Sequence, residues 1–217
     1  MKSLRSGLLA FAFALLPAIP LSAQGFGAGV KAGIASATFY GDDVEDAESR
    51  TAFWGGGFLT FQLSPMFAIQ PELLYASKGA AGTGGINDEV SAEFRIGYID
   101  VPILAKFTVG TDDARPYFLA GPSVGIRVSC EVEASNAAVT LTVDCDEFED
   151  GVEISSTDFG GVVGAGFDYD MGRATLSVDG RVSLGLTSIA AGDSDADVKH
   201  RTFAFLAGVR IPLGARP

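Results

Sequence analysis

From residue 26 onwards the chain alternates apolar and polar positions, in stretches separated by polar breaks. Eight stretches carry the alternation: 26–39, 52–63, 67–78, 93–109, 116–128, 157–169, 174–187 and 201–213. In the seventh, Leu176, Val178, Val182, Leu184 and Leu186 fall on one face, while Thr175, Ser177, Asp179, Arg181, Ser183 and Thr187 fall on the other. The eighth sets Phe203, Phe205, Val209, Ile211 and Leu213 against Thr202 and Arg210. A period of two predicts strands, since a helix repeats its apolar face every 3.6 residues. Each stretch is at least as long as the roughly 9–11 residues with which a tilted strand crosses a bilayer. The breaks alternate in length. Short ones fall at 64–66, 110–115 and 170–173, and long polar ones at 40–51, 79–92, 129–156 and 188–200. Short turns at one end and long loops at the other are the layout of an up-and-down barrel with both termini at the short-turn end.

Alternation alone does not say which face is inside. Side-chain size does. The polar face is crowded with glycine, at Gly27, Gly29, Gly33, Gly56, Gly121, Gly125, Gly160, Gly164 and Gly166. Glycine weakens a strand, so it is out of place on a water-facing surface, but a narrow lumen needs small residues around a few large polar ones. Those large residues are mixed in sign: Glu72, Asp100, Asp158, Asp168 and Asp179 with Lys31, Lys78, Lys106, Arg127, Arg181 and Arg210. Enclosed charges must be paired, and this set is close to balance. The apolar face then points to hydrocarbon. Lipid offers no hydrogen-bond partner, so a spanning sheet must close on itself, and eight strands leave an interior that side chains just fill. Aromatic residues near the strand ends fit two interfacial girdles: Phe61, Phe67, Phe107, Tyr117, Phe167 and Tyr169 by the short turns, and Phe39, Tyr40, Phe53, Tyr75, Phe94 and Phe159 by the long loops. The expected fold is all-β, an eight-stranded antiparallel outer-membrane barrel.

The first 23 residues read as a cleaved secretory signal, with Lys2 and Arg5, an apolar run from Leu8 to Leu16, and small residues before Gln24. The run is broken by Pro17 and Pro20, short of a membrane-spanning helix. The barrel domain is therefore expected over residues 24–217. Losing Lys2 and Arg5 takes the net charge from −12 to −14. Such acidity disfavours nucleic acid and anionic headgroups as partners. A mean hydropathy of +0.30 is high for so acidic a chain, as a lipid-facing surface with charged loops requires. Cys130 and Cys145, downstream of an export signal and 15 positions apart, predict a disulfide rather than a metal site.

Four stretches, GVKAGIASATFYGDD from Gly29, FQLSPMFAIQPELLYASKGA from Phe61, YIDVPILAKF and PYFLAGPSVG from Tyr98 and Pro116, and DFGGVVGAGFDY with VSLGLTSI from Asp158, resemble the small PorT-like outer-membrane β-barrel proteins of Bacteroidetes and related bacteria. The QPELLY core is the most specific. The resemblance implies the eight-stranded fold and the outer membrane but no defined activity, since a few members are linked to secretion or gliding machinery and most have no assigned role. Many outer-membrane proteins end in an aromatic residue, whereas this chain ends Leu213-Gly214-Ala215-Arg216-Pro217, so an internal assembly signal in the last strand is expected.

Three groups are candidate sites. The lumen charges offer an ion path or a structural plug, and a barrel of eight strands favours the plug. The acidic run Asp144 to Asp150 offers carboxylates for a divalent cation such as Ca²⁺, but Phe148 stands where an EF-hand would need a ligand, so a solvated loop is favoured. His200 lies near Ser194, Asp195 and Asp197, but no motif fixes a nucleophile. The resulting expectation is a monomeric, non-enzymatic outer-membrane protein without cofactor, held by outer-membrane lipid and presenting acidic loops to a surface partner. A narrow porin or secretion-associated barrel is the alternative, and an envelope enzyme acting on lipid A or peptides a distant third.

Overall fold

A computed structural model describes residues 25–41, 48–84, 90–110, 113–136, 139–145, 155–188 and 198–213. The described residues form nine antiparallel strands: β1 (Phe26–Tyr40), β2 (Arg50–Gln62), β3 (Phe67–Gly84), β4 (Val90–Thr108), β5 (Ala114–Ser135), β6 (Thr140–Asp144), β7 (Thr157–Asp170), β8 (Thr175–Gly185) and β9 (Lys199–Pro212). Eight of them close a ring. The order runs β4-β3-β2-β1-β9-β8-β7-β5, and β4 pairs with β5 to complete it. β6 stands outside the ring and, among the described residues, pairs only with the far end of β5.

The parity argument holds. Val178 is 59% exposed and Phe205 69%, whereas Asp179 and Arg181 are 4% and 3% exposed. Register aligns the outward residues into continuous apolar rows. Phe53, Ile34 and Phe205 lie side by side, as do Val163, Val182 and Phe203. This greasy outer surface with a charged interior suits a hydrocarbon solvent and no other.

Two of the short turns are built by side-chain chemistry. The Ser64 hydroxyl accepts from the Phe67 N–H at 3.1 Å, and Gln62 Nε2 donates to the Ser64 carbonyl at 2.7 Å. Between β7 and β8, Gly172 adopts φ +81° and its N–H donates to Asp170 Oδ1 at 2.8 Å. Only glycine takes that left-handed backbone without strain.

Besides Pro116 and Pro212 near strand ends, three prolines sit mid-strand in the ring, at Pro71, Pro102 and Pro122 in the consecutive strands β3, β4 and β5. Each lacks the N–H that a ladder needs. The β2–β3 ladder skips from Phe58↔Glu72 to Phe61↔Ile69, β3–β4 from Pro71↔Ile103 to Leu74↔Asp100, and β4–β5 from Pro102↔Ser123 to Ala105↔Ala120. Register is unchanged across every gap. The neighbouring rows hold the strands in place where the proline cannot.

The long-loop side departs from expectation. Residues 79–92 and 129–156, read as loops, contain further strand: β3 and β4 run on to Gly84 and from Val90, β5 runs to Ser135, and β6 turns back along it. A sheet of β3, β4, β5 and β6 therefore stands above the ring. The first 24 residues, including the expected signal, lie outside the described residues, as do residues 214–217.

Candidate functional site in the lumen and at its mouth

Inward-facing polar side chains are stacked along the lumen in three groups. Nearest the short turns, Lys106 Nζ donates to both oxygens of Asp168, at 2.9 and 2.7 Å, and lies 3.7 Å from the centre of the Tyr117 ring. These residues come from the lower ends of β4, β7 and β5.

The middle group is the densest. Glu72 on β3 accepts from Lys31 Nζ of β1 at 2.8 Å, from Arg181 Nη1 of β8 at 2.7 Å, and from Gln70 Nε2 at 2.7 Å. Asp179 accepts from Arg181 Nε at 2.6 Å, from the Tyr117 hydroxyl at 3.1 Å and from Lys31 Nζ at 3.4 Å. Lys31 also lies 4.7 Å from the Phe58 ring centre. Two cations meet two anions, and all four side chains are at most 1% exposed. Charges so enclosed survive only because each has opposite partners and its remaining hydrogen-bonding capacity is used.

Above them lies an apolar layer that the alternation alone did not announce. Trp54 is fully enclosed with Ala35, Ala37, Ala52, Leu74, Ala76, Ala204 and Leu206. Its Nε1–H donates to the Ser77 carbonyl at 3.3 Å.

The upper group joins Lys78 of β3 to Asp158 of β7 at 2.9 Å and to Asp100 of β4 at 3.3 Å. Lys78 lies 4.7 Å from the Tyr98 ring centre, and the Tyr98 hydroxyl meets His200 Nε2 at 3.3 Å. His200 is 1% exposed, and its ring centre lies 5.3 Å from that of Phe39, which packs on Phe94. Asp158 Oδ1 and His200 Nδ1 are buried with no partner among the described residues. Ser194, Asp195 and Asp197, the suggested neighbours of His200, lie outside the described residues.

All the lumen charges expected from the sequence are on strands with the expected parity. The structure brings nine of them into the three groups, and Arg210 donates to Thr175 Oγ1 at 3.0 Å. Arg127 is half-buried near the upper group. Three of the aromatics assigned to the girdles are corrected. Tyr117 is 2% exposed within the lumen, and Phe39 and Phe94 pack inward at the mouth. Tyr40 is half-buried and donates its hydroxyl to the Gly185 carbonyl at 2.6 Å.

At the mouth, Cys130 and Cys145 form the expected disulfide, with Cα atoms 5.4 Å apart. It closes the base of the β5–β6 hairpin and packs on Ile96 and Tyr98. On the chain-entropy model a loop of about 15 residues contributes about 3 kcal/mol. Because the hairpin stands outside the ring, that stabilisation is local. Replacing both cysteines with alanine should speed proteolytic cleavage between 131 and 144 while the boiled and unboiled gel mobilities of the ring stay as in wild type. Loss of the heat-dependent mobility shift would show that the disulfide supports the ring itself. The acidic run beside it is described only at Asp144 and Cys145, and residues 146–150 lie outside.

A solved structure shows the same fold. The chain is similar to the Neisserial surface protein A, NspA, with 16% identity, 86% of this chain and 96% of that one covered, and a TM-score of 0.50. It is also similar to OprG of Pseudomonas aeruginosa, at 13% identity, with 90% and 99% covered and a TM-score of 0.46. Ail, the attachment invasion locus protein of Yersinia pestis, follows with 14% identity, 86% and 99% covered, and a TM-score of 0.43. No curated protein matches the chain in sequence. Residues 22–191 match the family described as outer membrane protein beta-barrel domain, so the chain, with its closed ring and lipid-facing wall, belongs to that family and is a protein of the outer membrane.

Proposed function

We propose that this protein is a closed, non-enzymatic membrane anchor of the PorT-like type, whose role is carried by the acidic surface on its long-loop side. Residues 1–23 are a signal removed on export, residues 24–217 form the mature barrel, and the protein acts as a monomer. The observation that carries the reading is the middle lumen group. Lys31, Glu72, Asp179 and Arg181 block the axis with side chains at most 1% exposed, and Trp54 fills the layer above. A lumen packed in this way argues against a continuous path for an ion. The long-loop side, with short turns in the periplasm, faces the cell exterior and offers binding residues on a rigid scaffold.

Planar-bilayer recording tests the closed anchor against the narrow-porin alternative. The purified barrel should give no stable single-channel steps at neutral pH. Steps of constant size, seen reproducibly with refolded protein and abolished by heat denaturation, would overturn the proposal and make the barrel a pore.

A further inference from the structure

We propose that β6 is a docking edge for an extended polypeptide segment that brings a basic residue and alternating apolar side chains. The proposal rests on the reading above, in which the long-loop side faces outward, and it names the kind of partner that side takes.

Three observations carry it. The first is the edge itself. β6 pairs with β5 along Glu131↔Asp144 to Ser135↔Thr140, and no described strand pairs with its other side. Natural sheets protect such edges with lysine, proline or a bulge. Thr140–Asp144 contains no lysine or proline, and the β5–β6 register runs without a shift. The disulfide at the hairpin base holds the edge in place, so a partner strand would not have to order it.

The second is the charge row. Residues directly opposite one another share a face, and one row reads Arg95, Glu131, Asp144 across β4, β5 and β6. Two acids directly opposite are unfavourable. The neighbouring pair Glu93 and Glu133 is bridged by Arg95, at 2.9 and 2.8 Å, with Arg50 Nε 3.6 Å from Glu93. Asp144 ends its row at the open edge. A lysine or arginine on an added strand, opposite Asp144, would flank the two acids with a cation on the open side, as Arg95 does on the other.

The third is the apolar face. The next rows read Phe94, Val132, Val143 and Ala92, Ala134, Leu141, on the face that leans over the mouth. Leu141 is 63% exposed. An added antiparallel strand therefore meets Asp144, Val143, Thr142 and Leu141 in turn, and the matching pattern is basic, apolar, polar, apolar. Backbone pairing supplies affinity, and the alternating side chains supply choice.

The test uses the full chain in detergent micelles and a fluorescent peptide, Gly-Lys-Val-Thr-Val-Lys-Gly, beside its counterpart with both lysines replaced by glutamate. Anisotropy should show saturable binding of the basic peptide, at least about fivefold tighter than the acidic one. Asp144→Lys should invert that preference, and Leu141→Lys should remove binding of both peptides. Both positions are exposed, so the variants should keep the wild-type boiled and unboiled gel mobilities. No saturable binding by wild type, an unchanged preference in Asp144→Lys, or wild-type binding by Leu141→Lys would each overturn the proposal. The same result follows if edge occupation by residues 146–154 or by a second copy blocks the peptide. An epitope inserted after Asn136, read by antibody on intact cells, separates the two readings. A displayed epitope with no peptide binding sinks only the docking edge, and an epitope hidden until lysis sinks the outward-facing surface as well.

Discussion

Glu72→Ala should unfold at a markedly lower temperature than wild type, with a loss of about 3–5 kcal/mol, the range measured when one partner of a buried ion pair is removed. Glu72 accepts from Lys31, Arg181 and Gln70. Without it, two enclosed cations share Asp179 alone, in a space where water does not replace the lost partner. The measurement is the temperature at which the compact gel band converts to the slow one. A double variant sharpens it. Lys31→Met with Glu72→Leu removes one charge of each sign and leaves Arg181 facing Asp179 at 2.6 Å. Replacing a buried pair with apolar side chains of similar volume is often neutral or stabilising, so the double variant should recover most of the loss. A Glu72→Ala midpoint within experimental error of wild type would mean that the group is hydrated in the native barrel. The closed-lumen proposal would fall with it.

The outer wall was legible because parity is a one-bit question that many residues answer together. Gly121 and Gly125 fix the phase of β5, and Leu176 with Val178 fix that of β8. A one-residue slip would put every charge of the lumen into lipid, so few registers were possible. The same phase rule would have placed Tyr117, which stands four residues before Gly121 and must face the lumen. Distance from the turn had instead assigned it to a girdle. Trp54, two residues before Gly56, was readable in the same way.

The protruding hairpin was harder to see. Its inward set, Cys130, Val132 and Ala134, does alternate with Glu131 and Glu133, but above the membrane the apolar members are small and few. The composition therefore reads as a polar loop. β6 is only five residues long, too short for alternation to separate it from chance. The better signal was the pair of cysteines bracketing a stretch with Asn136 near its middle, since a disulfide joining neighbouring strands requires a tight reversal between them. The meeting of Lys78 with Asp158, 80 positions apart, has no sequence signature at all. It follows from ring closure and the stagger of the strands, which pattern reading does not supply.

Gly33→Ala should fail to give a folded, heat-modifiable band, while Gly161→Ala should fold as wild type does. Both glycines lie in mid-strand, so propensity alone would predict a gain for each, because alanine costs less chain entropy than glycine. The surroundings decide otherwise. A Cβ on Gly33 would run into the Phe205 carbonyl oxygen and stand 2.9 Å from the Leu206 Cα, both backbone atoms of β9. At Gly161 a Cβ would meet nothing within 4 Å. Overpacking a core ordinarily costs about 1–3 kcal/mol because side chains move aside. Here the obstacle is a neighbouring strand held by its own ladder, and the loss should reach or exceed the top of that range. Refolding yield in detergent, read from unboiled gels, separates the two variants directly. The contrast tests the geometry of the wall. The β1–β9 pair approaches so closely that its inner face admits only a hydrogen at Gly33, and Gly56 against the Leu73 carbonyl oxygen makes the same demand one strand away. A normal yield from Gly33→Ala would show that the ring is wider than this close approach requires, leaving space for water beside the charged groups within it.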